Sequence, residues 1–305
     1  MKALQIGSYG DAPRLVDVPD PAPAAGEVLV RVAGAAINPL DLKMTAGYLH
    51  EFFPVRFPYT LGTDLAGTIV EGGAGVSGWV PGDRVVTRLD PRVGGALAGL
   101  AVVPADQLVP APHAIPLATA AGAATAAATA WQALTEIAGV RPGQRVLVHA
   151  GAGGVGSFAV QIARRLGAHV IATASGGGVA IVKDLGADEV IDYTAAPFAD
   201  QARNVDVVID TVGGQVEERS LDVLVPDGLL VAVPVPPDTE RAAARGVRAE
   251  FVFHESNPTR LHTVVKLLDQ DVRVLLDRTV SLADATSGLA HLANGHARGK
   301  IIVTP

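Results

Sequence analysis

His149-Ala150-Gly151-Ala152-Gly153-Gly154-Val155-Gly156 follows a short apolar run, Val146-Leu147-Val148. It opens a pattern in which Val155, Phe158, Ala159, Ile162, Ala163 and Leu166 recur at helical spacing. Glycine-rich turns are common, so the flanks decide the reading. Arg141-Pro142-Gly143-Gln144 reads as a turn and Arg145 to Ala150 as a buried strand, and a helix starts at the last glycine. Strand, glycine turn and helix in that order suit a dinucleotide. They predict a tight turn at Gly151, backbone close to phosphate at Gly153, cofactor contacts at Gly154 and Val155, and close helix-to-strand packing at Gly156. Exposed N–H groups and the positive end of the helix dipole then meet the pyrophosphate.

The next strand, His169 to Thr173, bears on the choice of nucleotide. A site for NAD places an acidic residue about 20 residues after the glycines, to bind the ribose 2′-hydroxyl. No acidic residue occurs from Ser157 through Lys183, and the strand runs instead into Thr173-Ala174-Ser175-Gly176-Gly177-Gly178. Hydroxyls and free N–H groups there receive a 2′-phosphate without charge repulsion, so NADPH is favoured over NADH.

The 305 residues suffice for one large or two ordinary domains, and 49% hydrophobic content supplies the core. A net charge of −7 with no compensating Lys/Arg run argues against a nucleic-acid surface. Zero cysteines exclude disulfides and thiolate metal sites. Met1-Lys2-Ala3-Leu4-Gln5-Ile6 reaches Asp11 without a long apolar region, so no signal peptide is expected and the cytoplasm is the predicted location. Ala114 to Gln132 carries no charge but is built from Ala, Thr and Gly, which predicts a tightly packed interdomain helix rather than a membrane span.

Residues 1–112 read as short strands broken by Pro and Gly, such as Glu27-Val28-Leu29-Val30-Arg31-Val32 and Leu65-Ala66-Gly67-Thr68-Ile69-Val70-Glu71. Pro104, Pro110, Pro112 and Pro116 mark a boundary. Beyond residue 140 strands alternate with helices, which predicts an α/β architecture with a parallel, doubly wound sheet. Ligands bind such sheets beyond the carboxyl ends of the strands, so Ala150, Thr173, Asp210 and Val233 should line one crevice. Leu261, Val264, Val265 and Leu268 fit a helical face followed by a strand from Val272 to Leu276, and Lys300-Ile301-Ile302-Val303 reads as a final strand.

Several segments in this order resemble the zinc-independent quinone oxidoreductase branch of the medium-chain dehydrogenase/reductase superfamily. They are Ala36-Ile37-Asn38-Pro39-Leu40-Asp41-Leu42-Lys43, Phe57-Pro58-Tyr59-Thr60-Leu61-Gly62-Thr63-Asp64-Leu65-Ala66-Gly67, Pro81-Gly82-Asp83 and Thr129-Ala130-Trp131-Gln132-Ala133-Leu134. After the glycine motif come Leu185-Gly186-Ala187-Asp188, Val208-Ile209-Asp210-Thr211-Val212-Gly213-Gly214 and Gly299-Lys300-Ile301-Ile302-Val303. The resemblance implies a GroES-like β-rich domain over 1–112, completed by 255–305, and a Rossmann domain over 113–254, with a cleft separating the two. A homodimer is implied as well.

Zinc-dependent members carry a catalytic Cys near the Asn38 segment and Gly-His-Glu where this chain has Gly62-Thr63-Asp64. Both are missing, so no metal is expected, and His113, His149, His169 and His254 read as packing or surface residues. Without an electrophilic metal, simple alcohol oxidation is disfavoured. A quinone or an α,β-unsaturated carbonyl demands less, because hydride addition gives a delocalised anion that a few hydrogen bonds stabilise. The expected activity is NADPH-dependent reduction of such an acceptor. A dedicated biosynthetic enoyl or enone reductase, and a non-catalytic NADPH-binding protein, are the alternatives.

By resemblance Tyr48 faces the nicotinamide, where a phenol of ordinary pKa about 10 can donate a proton, against a plain packing role beside Phe52 and Phe53. Asn38 orients nicotinamide or substrate, or caps its own turn. Thr129 approaches the carboxamide, Ser175 and Tyr193 contact the adenosine phosphate or adenine, and Asp210 and Thr211 end the strand beside the adenine. Val233, Phe251 and Phe253 match loops flanking the nicotinamide ribose, Phe52, Phe53, Phe57 and Tyr59 suggest an aromatic wall, and Lys300 reads as a strand-edge salt bridge.

Overall fold

The computed structural model describes residues 1–295 and 297–305 and packs the chain as two units, one of residues 1–125 with 256–305 and one of residues 126–255.

In the second unit the strands are β1 (Arg145–Val148), β2 (His169–Ala174), β3 (Glu189–Asp192), β4 (Val205–Asp210), β5 (Leu224–Ala232) and β6 (Arg248–Phe251). They lie side by side in the order β3-β2-β1-β4-β5-β6, and all pairings are parallel. Central strands of such a sheet are covered on both faces, which is why β1 reads as an unbroken apolar run: Val146, Leu147 and Val148 are fully buried. The first helix, α1 (Gly154–Arg165), buries Phe158, Ala159, Ile162 and Ala163, and Arg164 and Arg165 sit at its negative end. The second, α2 (Gly177–Asp184), follows β2. Strand order reverses at β1, between β2 and β4, so a crevice opens at the carboxyl ends there.

In the first unit the long strand Glu27–Ile37 pairs antiparallel with Asp64–Gly72, Leu100–Pro104 and the last strand, Lys300–Thr304. A three-stranded sheet joins Arg14–Asp17, Lys2–Ile6 and Tyr59–Thr60. Leu4, Ile6, Val28, Leu61, Leu65 and Leu97 belong to one apolar cluster of this unit. Chain end and chain beginning therefore share one core.

Two expected elements differ. The segment Ala114 to Gln132 is not one helix: it forms a helix at Leu117–Ala120, a 3₁₀ turn at Ala121–Ala123, a helix at Ala126–Trp131 and a π-helical stretch at Gln132–Ile137. The interruption falls at Thr125, whose N–H and hydroxyl both donate to the Asp64 carboxylate, at 3.1 and 2.5 Å. Its first part lies against Glu27–Ile37, so closely that a Cβ on Gly34 would stand 2.7 Å from the Ala118 Cα. The strand predicted at 272–276 lies instead at Leu276–Ser281, paired in parallel with Lys300–Thr304. No helix among the described residues is long and apolar enough to cross a membrane.

Candidate functional site

The turn between β1 and α1 carries the nucleotide-binding geometry. Gly153 is the residue before the helix, its N–H donating to the Ala150 carbonyl at 2.8 Å, and Ser157 is the next whose N–H bonds back into the turn, to the Gly153 carbonyl at 3.0 Å. Helix geometry leaves the N–H groups of Gly154, Val155 and Gly156 without a backbone acceptor, and the first turn contains no acidic side chain. A cradle of outward N–H groups at a positive helix end fits a pyrophosphate. Gly156 is the most constrained glycine of the motif, since a Cβ there would lie 2.2 Å from the Ala150 carbonyl oxygen. A Cβ on Gly153 would meet only Ala150, at 3.1 Å, and otherwise open space. Gly151 lies in the turn that Gly153 N–H closes on the Ala150 carbonyl at 2.8 Å, pressed against Ala172 and Val182, and the left-handed conformation falls on the residue before it, Ala150, with φ of 48°.

The structure gathers the other nucleotide candidates at the same ends of the strands. Gly151 N–H donates to the Thr173 carbonyl at 2.8 Å, Thr211 Oγ1 donates to the His149 carbonyl at 2.8 Å, and Val233 N–H donates to the Asp210 carbonyl at 2.9 Å. Thr173 is buried and its hydroxyl accepts Ala150 N–H, so it acts on the turn. Ser175 Oγ donates to Tyr193 Oη at 2.9 Å, with Tyr193 half exposed beyond β3. Asp210 is fully buried and its carboxylate accepts Val212 N–H and Gly213 N–H, at 2.8 and 3.0 Å, which shapes the turn after β4. Burial raises its pKa against those hydrogen bonds. Thr129 is buried on Ala126–Trp131, Phe251 ends β6, and Phe253 is half exposed just beyond it.

Two neighbours were not singled out from the sequence. Gln132 Nε2 donates to the Phe253 carbonyl at 3.2 Å and its Oε1 accepts from His254 Nδ1, also at 3.2 Å, tying the start of the π-helical stretch to the loop after β6. Asp192 ends β3 in register with Ala174 and is the acid that tertiary structure brings beside the Ser175 strand. Its carboxylate accepts Thr194 hydroxyl and N–H, which holds its pKa below the usual carboxylate range.

In the first unit Tyr48 follows the helix Pro39–Thr45, its N–H bonded to the Lys43 carbonyl at 3.0 Å. It is 80% exposed, so the packing role beside Phe52 and Phe53 does not describe it. The aromatic wall divides: Phe52 is exposed, whereas Tyr59 is core, its hydroxyl donating to the Pro91 carbonyl at 2.8 Å. Asn38 is buried with both ends of its amide engaged. Nδ2 donates to Asp64 Oδ2 at 2.9 Å, and Oδ1 accepts from Lys300 Nζ at 2.5 Å. Lys300 is thus inside the fold rather than at a strand edge, donating also to the Ile37 carbonyl at 3.2 Å. Arg88 extends the network, through Thr125 Oγ1 at 3.1 Å and Ser256 Oγ at 2.9 Å.

Asp41 is buried beside this network, accepting Asn38 N–H at 2.7 Å. Desolvation raises its pKa to about 7 from an ordinary 3.8, in spite of that hydrogen bond. The folded chain therefore holds this proton more tightly than the unfolded chain. Its contribution to stability is full below pH 3.8 and is lost as pH rises through about 7. Asp41→Asn should flatten the fall in unfolding free energy between pH 4 and 7, measured by urea titration across about 3 pH units. An unchanged slope would show that Asp41 does not titrate in this window.

Among the described residues no three His, Asp or Glu side chains come together as a metal-binding group. Family models match in three stretches: an alcohol dehydrogenase GroES-like domain over 24–113, the C-terminal domain of alanine dehydrogenase/PNT over 117–230, and a zinc-binding dehydrogenase over 185–303. The chloroplast envelope quinone oxidoreductase homolog of Arabidopsis thaliana is 34% identical over 100% of this chain and 98% of its own. A mitochondrial NAD(P)H oxidoreductase of Danio rerio is 32% identical over 91% of this chain and 83% of its own. The solved quinone oxidoreductase from Coxiella burnetii superposes with a TM-score of 0.94 at 34% identity, covering 100% of this chain and 99% of that one.

Proposed function

Because the chain belongs to the quinone oxidoreductase branch of the medium-chain dehydrogenase/reductase superfamily, we propose that it carries a hydride from NADPH to a quinone or another conjugated carbonyl, without a metal. The observation that carries the reading is the unsatisfied N–H cradle of Gly154, Val155 and Gly156 at the crossover of a doubly wound sheet. A bound reduced nicotinamide supplies the hydride. The chain's own residues bind and orient: the cradle takes the pyrophosphate, Ser175 and Tyr193 the 2′-phosphate end, and Thr129, Val233, Phe251 and Phe253 the nicotinamide half. Independence from metal is supported by the total lack of cysteine and by the engagement of Asn38 and Asp64 with each other, Lys300 and Thr125.

Tyr48 is assigned the proton donor to the reduced acceptor. Tyr48→Phe should leave thermal stability unchanged, since the side chain is exposed, and lower turnover at saturating acceptor about 100-fold. Unchanged turnover removes Tyr48 from the mechanism. Asn38 is assigned a positioning role, holding the start of the helix that leads to Tyr48.

Ser175→Asp should weaken NADPH binding at least tenfold, roughly the cost of a like-charge contact at the 2′-phosphate, while sparing NADH. The comparison of the two dissociation constants checks it, and a wild-type protein that binds both nucleotides equally overturns the NADPH assignment. The function itself is tested by following nicotinamide absorbance with NADPH or NADH against a panel of quinones, alkenals and enoyl thioesters. Bound NADPH that no acceptor oxidises would leave a nucleotide-binding protein, and activity abolished by a chelator would overturn the metal-free reading.

A further inference from the structure

His149 stands immediately before the glycine turn, and none of the contacts assigned above uses its side chain. The ring is 1% exposed and lies edge-on to Phe198, with centroids 4.5 Å apart at 71°. Nε2 is 2.9 Å from Ser220 Oγ, and Nδ1 is 3.2 Å from Thr173 Oγ1.

Counting protons fixes the direction of each bond. Ser220 has one hydroxyl proton, and it goes to the Val216 carbonyl at 2.6 Å, a group that only accepts. Ser220 Oγ must then accept from His149 Nε2–H. Burial depresses the ring's pKa to about 3, so the ring is neutral and Nδ1 carries no proton. Thr173 Oγ1 therefore donates to Nδ1, while the same oxygen accepts Ala150 N–H at 3.1 Å. The result is a one-way chain, Ala150 to Thr173 to His149 to Ser220 to Val216, with every proton placed.

The chain begins at a strained residue. Asn204 and Asp227 are the other non-glycine residues with positive φ among those described, and both types tolerate that conformation, whereas an alanine there costs about 1 kcal/mol. Ala150 also presents its carbonyl to Gly153 N–H at 2.8 Å and forms the wall against which Gly156 packs. Its conformation thus sets where the following N–H groups point. We propose that His149 is a positioning residue for nucleotide binding: acting through the Thr173 hydroxyl, it holds Ala150 in the left-handed conformation that aims the Gly154, Val155 and Gly156 N–H groups outward. This rests on the nucleotide reading above.

The test separates hydrogen bonding from core filling. His149→Phe keeps an aromatic ring against Phe198 and removes both hydrogen bonds, Thr173→Val removes the hydroxyl, and Thr173→Ser restores it. Titrating the purified full chain with NADPH should give dissociation constants raised about tenfold for H149F and for T173V, the worth of one neutral hydrogen bond. T173S should stay near wild type. The double variant H149F/T173V should lose about tenfold rather than a hundredfold, because both changes cut one chain. In turnover the effect should fall on KM for the nucleotide rather than on kcat. Imidazole ¹⁵N spectra of the wild-type protein should show His149 neutral with its proton on Nε2. Wild-type affinity in H149F, additive losses in the double variant, or a proton on Nδ1 would each overturn the proposal. A wild-type protein that does not bind NADPH would instead bring down the function proposed above, while the spectra would still decide the direction of the chain.

Discussion

Gly156→Ala should raise the dissociation constant for NADPH at least 100-fold, about 2.7 kcal/mol, and lower the thermal midpoint as well. The new methyl would stand 2.2 Å from the Ala150 oxygen, 2.9 Å from its carbonyl carbon and 3.0 Å from the Gly151 Cα. All three are backbone atoms, so no side chain can swing aside. Relief requires α1 to move off β1, which disperses the N–H groups that the pyrophosphate would meet. Gly153→Ala supplies the contrast: its φ of −82° suits alanine, its Cβ would meet the Ala150 oxygen at 3.1 Å, and it otherwise faces open space. It should keep the wild-type melting temperature and still weaken NADPH, since the methyl occupies the approach to the turn. Nucleotide titration and calorimetry of the two variants check both statements. Wild-type affinity in G156A would mean that NADPH does not bind at this turn.

Lys300→Met should cost about 3–5 kcal/mol of stability, the usual price of breaking a buried charged network from one side. The long apolar side chain fills the same channel, so the loss is that of the ammonium. Without it Asn38 Oδ1 and the Ile37 carbonyl lose that donor, and the Asp64 and Asp41 side chains, whose pull on Lys300 opposes the burial that depresses its pKa, lose their nearby cation. A drop in melting temperature of roughly 10 °C is expected for a unit of this size. Pairing K300M with Asp64→Asn should recover part of it, because the buried charges then leave together. A melting temperature within about 2 °C of wild type would show that the network contributes nothing net, as many exposed ion pairs do.

The glycine turn, the helical face of α1 and the run of β1 are readable because each is a short-range consequence of backbone freedom or of burial on one face. Tyr48, Ser175 and Tyr193 are legible in the sequence, but the hydrogen bond between Ser175 and Tyr193 spans 18 positions and depends on β2 and β3 lying side by side. Asp192 is not legible as an acid of this site in the sequence, because it lies far along the chain from the glycines and reaches the Ser175 strand only through sheet pairing. The charge-free stretch from Ala114 looked like one helix because nothing within it signals a break. The break comes from Asp64, 61 residues away from Thr125.

By itself the amino-acid sequence determined the doubly wound sheet, the β-rich partner unit, the glycine turn and the lack of thiolate ligands, since these follow from periodicity, composition and residue type. Only the tertiary structure decided that Ala150 takes the left-handed conformation ahead of the turn, that His149 is wired to it through Thr173, and that Lys300 is sealed against Asn38 across 262 positions. Burial decides whether a polar side chain is solvated or must find a partner, and that partner is chosen by which strands pack together, a property of the whole chain that no local stretch encodes.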